Sequence, residues 1–197
     1  GEIVAENIEN TKAGSRFEVF GTEFTVNMPG EFNVYNALAA VAVVNALGVP
    51  LEDCAKALEK IKGVPGRLEI IDEGQDFTVM VDYAPEVVSV QNLYDVVSEL
   101  EHERVIHVLG SCGGGRDRDR QPKLGRIAGE NADLVFVTNE DPYDDDPMEI
   151  IDAVARGALD AGKQDGLNLF RQLDRAQTIR DAVAAARTGD IILITGK

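Results

Sequence analysis

Basic residues are scarce in this sequence: 19 lysines and arginines face 35 aspartates and glutamates across 197 residues, a formal net charge of −16. Such a balance repels polyanions, which argues against nucleic acid or an anionic membrane as a partner, and any anionic ligand must be held by local groups. Cysteine is rare too. Cys54 and Cys112 lie in different segments without metal-ligand neighbours, which argues against a thiolate metal site or a disulfide framework and for reduced thiols in a cytoplasmic protein. No apolar run is long enough to cross a bilayer, and no basic stretch followed by an apolar core opens the chain, so neither insertion nor secretion is expected. No Gly-Lys-Ser or Gly-Lys-Thr occurs, so the phosphate loop built on that motif is missing from these residues. The opening Gly1-Glu2-Ile3-Val4 and the ending Gly196-Lys197 read as cuts inside a longer polypeptide.

What is present divides into two patterns. The segments 16–20 and 23–27 alternate apolar and polar residues around Gly21-Thr22, which predicts a hairpin. Residues 33–47 are rich in Ala, Val and Leu at helical spacing with Gly48 as a stop, and Pro50 then opens a second helix, expected to run to Gly63. Leu58 and Ile61 are expected on its buried face, with Cys54 one turn earlier. Gly63-Val64-Pro65-Gly66 punctuates the chain as a hinge would, so residues 1–66 are read as one unit and 67–197 as the next.

In the second unit apolar strands alternate with amphipathic segments: 77–81, 105–109, 134–138, 167–170 and 191–195. Crossover connections of this kind predict an α/β, Rossmann-like fold, a mostly parallel sheet with helices on both faces. A helix from about Pro85 shows Val90, Leu93, Val97 and Leu100 on one stripe. Asp146-Pro147-Met148-Glu149 supplies a cap, a first-turn proline and a capping-box acid for another.

In an open sheet of this type ligands gather at the carboxyl ends of strands. Four loops fall there: Asp82-Tyr83-Ala84, Gly110 to Gln121, Asn139-Glu140-Asp141-Pro142-Tyr143, and Gly196-Lys197. Asp82 could accept hydrogen bonds from a ribose or substrate hydroxyl, or simply favour a helix N-terminus as an acid. The second loop carries three successive glycines, which let a backbone approach a ligand, and then Arg116, Arg118 and Arg120 alternating with Asp117 and Asp119. One arginine aimed at a carboxylate would suffice; at least two are expected to be solvated. Asp144-Asp145-Asp146 is explained by a helix start or by solvated surface rather than by a metal. His107 is read as a strand residue, not a base.

Together with Gly30-Glu31-Phe32-Asn33-Val34-Tyr35-Asn36-Ala37-Leu38 and Gly63-Val64-Pro65-Gly66-Arg67, these loops resemble the Mur ligase family. The spacing is most similar to the type that adds the third amino acid to UDP-N-acetylmuramoyl-dipeptide in peptidoglycan synthesis. The resemblance implies that residues 1–66 are the end of a central ATP-binding domain and 67–197 most of a carboxy-terminal domain that brings the incoming amino acid. It implies that Asn33 and Asn36 lie by the adenine, that Arg67 reaches the nucleotide, and that Asp82, with Tyr83 beside it, holds the ribose. It also places Arg116 on the carboxylate of the incoming amino acid, a match for a planar, permanently charged guanidinium, with Asp141, Tyr143 and Gly196 around the same substrate.

Glu140-Asp141-Pro142-Tyr143 occupies the place of the family's Asp-Asn-Pro-Arg, which marks enzymes selecting meso-diaminopimelate. Tyr143 replaces that arginine, so lysine, ornithine or another amino acid is the expected substrate. Pro85 stands where the family has a histidine, and Gly115 where it has the acid before the loop arginine. The implied chemistry uses ATP and Mg2+ to make an acyl phosphate that the amine then attacks, by a monomer in the cytoplasm. The phosphate loop and the metal ligands would lie upstream, so these residues alone are expected to have no ligase activity. Other muramyl-peptide adders and folylpolyglutamate synthetases share the architecture, and a non-catalytic binding module derived from a ligase is the alternative of another class.

Overall fold

A computed structural model describes residues 3–11 and 13–196; Gly1, Glu2 and Lys197, which figured in the expectations above, lie outside the described residues. Two compact units emerge, Gly1–Leu68 with Asp95–Leu100, and Glu69–Tyr94 with Glu101–Lys197.

The first unit holds an antiparallel sheet in the order β1-β2-β3, made of β1 (Glu6–Thr11), β2 (Gly14–Val19) and β3 (Thr22–Val26), followed by helices α1 (Glu31–Ala46) and α2 (Leu51–Glu59). The expected hairpin is β2–β3. Phe17 and Phe24 face each other across it and stack with ring centroids 5.4 Å apart. Alternation puts Phe17, Val19, Phe24 and Val26 on one face, where they bury against Val34, Ala37 and Val41 of α1 and Cys54 of α2. The second helix stops at Glu59, short of Gly63, and Ile61 is exposed rather than buried. Its end is fixed instead by Asn27, whose Nδ2 donates to the carbonyls of Glu59 (2.8 Å) and Ile61 (3.1 Å).

The second unit is a six-stranded sheet in the order β4-β5-β9-β6-β7-β8, from β4 (Glu69–Ile71), β5 (Thr78–Asp82), β6 (Val105–Leu109), β7 (Leu134–Thr138), β8 (Leu169–Gln172) and β9 (Ile191–Thr195). Only β4 runs antiparallel, against β5; the other pairs are parallel. The connecting helices are α3 (Val87–Ser98, of which residues to Tyr94 belong here), α4 (Arg120–Asn131), α5 (Pro147–Asp160) and α6 (Arg175–Ala185). Every residue of β6 is buried, as expected of a central parallel strand covered on both faces. Ile106, Val108 and Ile192 pack with Phe136 and with Ala182 of α6. The last strand enters between β5 and β6, so the chain reverses direction across the sheet there, and the carboxyl ends of β5, β9, β6 and β7 open side by side.

Helices α4 and α5 cross unusually closely. A Cβ at Gly125 would run into the Val154 carbonyl, and one at Gly157 into the Pro122 carbonyl. At α5 the expected start is present: Asp146 caps it, its Oδ1 accepting from the Met148 N–H at 2.8 Å, with Pro147 in the first turn.

Candidate functional site

At the carboxyl edge of β5, the Asp82 side chain accepts from the Ala84 N–H at 2.8 Å, which turns the chain sharply out of the strand. Asp82 is the register partner of Thr195 on β9, and the next residue, Gly196, donates its N–H to the Tyr83 carbonyl at 3.1 Å. Asp82, Tyr83 and Gly196 are therefore neighbours on one rim.

The loops after β6 and β7 interlock. Gly113 donates its N–H to the Asp141 carbonyl at 2.9 Å, and Gly114 its N–H to Asp145 Oδ2 at 2.9 Å. A Cβ at Gly113 would meet the Pro142 carbonyl and Asp145 Oδ2 at 2.5 Å, and one at Gly114 the Tyr143 ring at 2.6 Å. Glycine is required at Gly113 and Gly114 by close approach, and at Gly114 and Gly115 by φ values of 70° and 74°. Tyr143 itself has φ 54°, in the left-handed region that a bulky residue seldom occupies.

Arg116 projects from this loop, exposed. Its guanidinium pKa is raised, first by Cys112, then by Tyr143, with a smaller contribution from Tyr83 and against a lowering by burial. The Tyr143 ring lies against Gly114, so the loops after β6 and β7 come together two residues before Arg116. The other two arginines divide. Arg118 is mostly exposed and pairs with Asp145 at 2.8 Å. Arg120 is buried: it pairs with Glu86 at 2.6 Å and donates to Cys112 Sγ. Its Nε and the buried Ser111 hydroxyl have no partner among the described residues.

Two residues of this rim escaped the sequence reading. Glu140, quoted only as part of a motif, lies with its carboxylate against Gly196: a Cβ there would stand 2.9 Å from Oε2. Burial raises the Glu140 pKa; Arg175, Arg120 and Arg116 oppose that rise, and Asp141 adds to it. Arg175, at the start of α6, donates to the Thr195 carbonyl at 2.9 Å. Burial lowers its pKa and Glu140 raises it. Applying the carboxyl-end rule to the loop after β8 would have found Arg175.

The remaining expected residues belong to the first unit. Asn33 is buried at the start of α1, its Nδ2 donating to the Pro29 carbonyl at 2.8 Å, and its Oδ1 accepting from Asn36 Nδ2 at 3.1 Å. The two asparagines are thus coupled, with Asn36 exposed. Arg67 is exposed in a turn closed by its own N–H on the Val64 carbonyl at 3.0 Å, and its Nη1 donates to the Gly66 carbonyl at 3.0 Å.

Residues 66–197 match the family model described as Mur ligase, glutamate ligase domain, and residues 1–44 the one described as Mur ligase middle domain. The chain is 46% identical over 200 residues to the UDP-N-acetylmuramyl-tripeptide synthetase of Roseiflexus sp. (strain RS-1), an alignment covering 100% of the chain and 39% of that protein. It is 38% identical over 201 residues to the UDP-N-acetylmuramoyl-L-alanyl-D-glutamate–2,6-diaminopimelate ligase of Geobacillus thermodenitrificans (strain NG80-2), covering 100% and 40%. The UDP-N-acetylmuramate–alanine ligase MurC of Thermotoga maritima has the same fold, with a TM-score of 0.74 at 22% identity over 100% of the chain and 42% of the MurC chain. The chain spans about two fifths of the length of these relatives.

Proposed function

We propose, because this chain belongs to the Mur ligase family, that it is part of an ATP-dependent ligase adding the third amino acid to UDP-N-acetylmuramoyl-dipeptide in peptidoglycan synthesis. The observation that supports the reading is the interlocking, at the carboxyl edge of the sheet, of the loop that carries Arg116 with the loop that carries Asp141 and Tyr143, through the Gly113 N–H on the Asp141 carbonyl and the Gly114 N–H on Asp145. The Arg116 guanidinium presents a fixed positive fork to the carboxylate of the incoming amino acid, with Asp141, Tyr143 and Gly196 around it. Asp82 and Tyr83 hold the ribose, while Asn33, Asn36 and Arg67 serve the nucleotide from the first unit.

The reaction passes through an acyl phosphate made with ATP, whose formation needs charge neutralisation on the transferring phosphoryl group. Among the described residues no group of three or more His, Cys, Asp or Glu side chains is placed to hold a metal ion, so Mg2+ is assigned to no residue here. What these residues contribute is orientation: holding the amino acid by its carboxylate leaves the amine free to face the acyl group. No helix among the described residues is long and apolar enough to cross a membrane. A cytoplasmic monomer completes the proposal, in keeping with free, buried Cys54 and Cys112.

Tyr143 bears on which amino acid is taken. It offers a neutral hydroxyl where the distal carboxylate of diaminopimelate would call for a cation. The substrate is therefore an amino acid such as lysine or ornithine. The test is amino-acid-dependent ADP release by the full-length enzyme given UDP-N-acetylmuramoyl-dipeptide. Release with lysine or ornithine is expected. Release with diaminopimelate alone would overturn the assignment of Tyr143, and none with any amino acid would overturn the whole reading.

A further inference from the structure

Arg116 follows three glycines, two of them at positive φ, a backbone with more freedom than a substrate-orienting group can tolerate. Besides the Gly113 N–H on the Asp141 carbonyl, what restrains that freedom on both sides of Arg116 is one carboxylate on the neighbouring loop. Asp145 Oδ2 accepts the Gly114 N–H at 2.9 Å, two residues before Arg116, and Asp145 Oδ1 accepts from Arg118 Nη2 at 2.8 Å, two residues after it. Asp145 is itself held: its N–H donates to the Pro142 carbonyl at 3.1 Å, closing the turn that carries Tyr143, and the next residue caps α5. A side chain at position 113 would collide with the same carboxylate.

We propose that Asp145 is the positioning residue for Arg116: it straddles the arginine with two tethers and references it to the start of α5. The proposal rests on the reading of Arg116 as the contact for the amino-acid carboxylate. An acid run beside a helix needs no such geometry, and Asp144, next to Asp145, is exposed.

The test uses the full-length enzyme. Asp145→Ala raises the KM for the amino acid roughly tenfold or more, as loss of orientation does, while the KM for ATP stays within about twofold. Asp145→Asn, which keeps an acceptor for the Gly114 N–H, loses much less. The double variant D145A/R116A is no worse than R116A, because the tether acts only through the arginine. Hydrogen exchange at the Gly114 amide reads the tether without reference to substrate, and it quickens in D145A. Unchanged exchange at Gly114 overturns the proposal outright. Faster exchange with an additive double variant, or with R116A raising the amino-acid KM and D145A leaving it unmoved, also overturns it while the reading of Arg116 survives. If R116A leaves the amino-acid KM unmoved, that reading fails and the positioning role fails with it, whatever the exchange shows.

Discussion

His107 Nε2 lies 2.9 Å from the Thr195 hydroxyl inside the sheet, joining β6 to the strand that ends at the site rim. The Tyr94 hydroxyl stands 2.8 Å from the other ring nitrogen, so one nitrogen donates and the other accepts, and a neutral imidazole satisfies both contacts. Burial, with the Arg175 charge adding to it, pushes the His107 pKa down to about 3. The unfolded chain takes up a proton near pH 6.5 and the folded one only near 3, so stability is full above about 6.5 and drains away as pH falls towards 3. The slope from this one group is about 1.4 kcal/mol per pH unit. His107→Asn, which takes no proton, should show a shallower fall of the urea midpoint between pH 6.5 and 4. Equal slopes for the two proteins would refute the assignment.

Close contact between α4 and α5 leaves no room for side chains at Gly125 and Gly157, each of which would strike a backbone carbonyl of the facing helix. Gly157→Val must push the helices apart and should cost about 2 kcal/mol or more. Gly63→Ala is the contrast, since nothing lies within 4 Å of a Cβ there and its backbone is not in the left-handed region, so it should be neutral or slightly stabilising. Thermal denaturation of the two variants compares them directly.

How much was visible beforehand follows from where the information resides. Strand β9 is an apolar run up to Thr195 and β6 is apolar but for His107, and a strand buried on both faces leaves that mark in the sequence. By contrast β1 reads Glu-Asn-Ile-Glu-Asn-Thr and is almost wholly exposed, so it has no apolar face to announce it. Helix α4 has proline and two glycines among its first ten residues, because it packs through small residues rather than through a stripe of large ones. The rim loops could be listed from the strand ends, yet Arg120 reads like its exposed neighbours until Glu86 is seen beside it. Glu140 and Arg175 meet only through the sheet order, and no spacing encodes that.

Glu140 offers a test of rim electrostatics. The neutral form is favoured in the fold, so between the ordinary carboxyl pKa and the raised one the folded protein binds more protons than the unfolded one, and stability falls as pH rises through that window. Glu140→Gln removes the cost of an ionised carboxylate in a half-buried place. It should be more stable than the parent at pH 7, with the difference disappearing below about pH 4. A variant less stable than the parent at pH 7 would mean that the three arginines outweigh desolvation, contrary to the raised pKa.

Tyr143 combines a left-handed backbone, φ 54°, with a ring laid against Gly114. Any substitution that removes the ring loses those contacts, so the backbone contribution must be read from a pair of variants that lose them alike. Asparagine tolerates this region, whereas a β-branched residue does not. Tyr143→Val should therefore be less stable than Tyr143→Asn by about 1 kcal/mol or more. The urea midpoints of the two variants measure the difference, and equal midpoints would mean that the turn relaxes out of the left-handed region once the ring is gone. Tyr143→Phe keeps the ring and the strain, and removes only the hydroxyl of an exposed side chain. It should keep parent stability within about 0.5 kcal/mol, as a change at an exposed position does, and its urea midpoint beside that of the parent checks this.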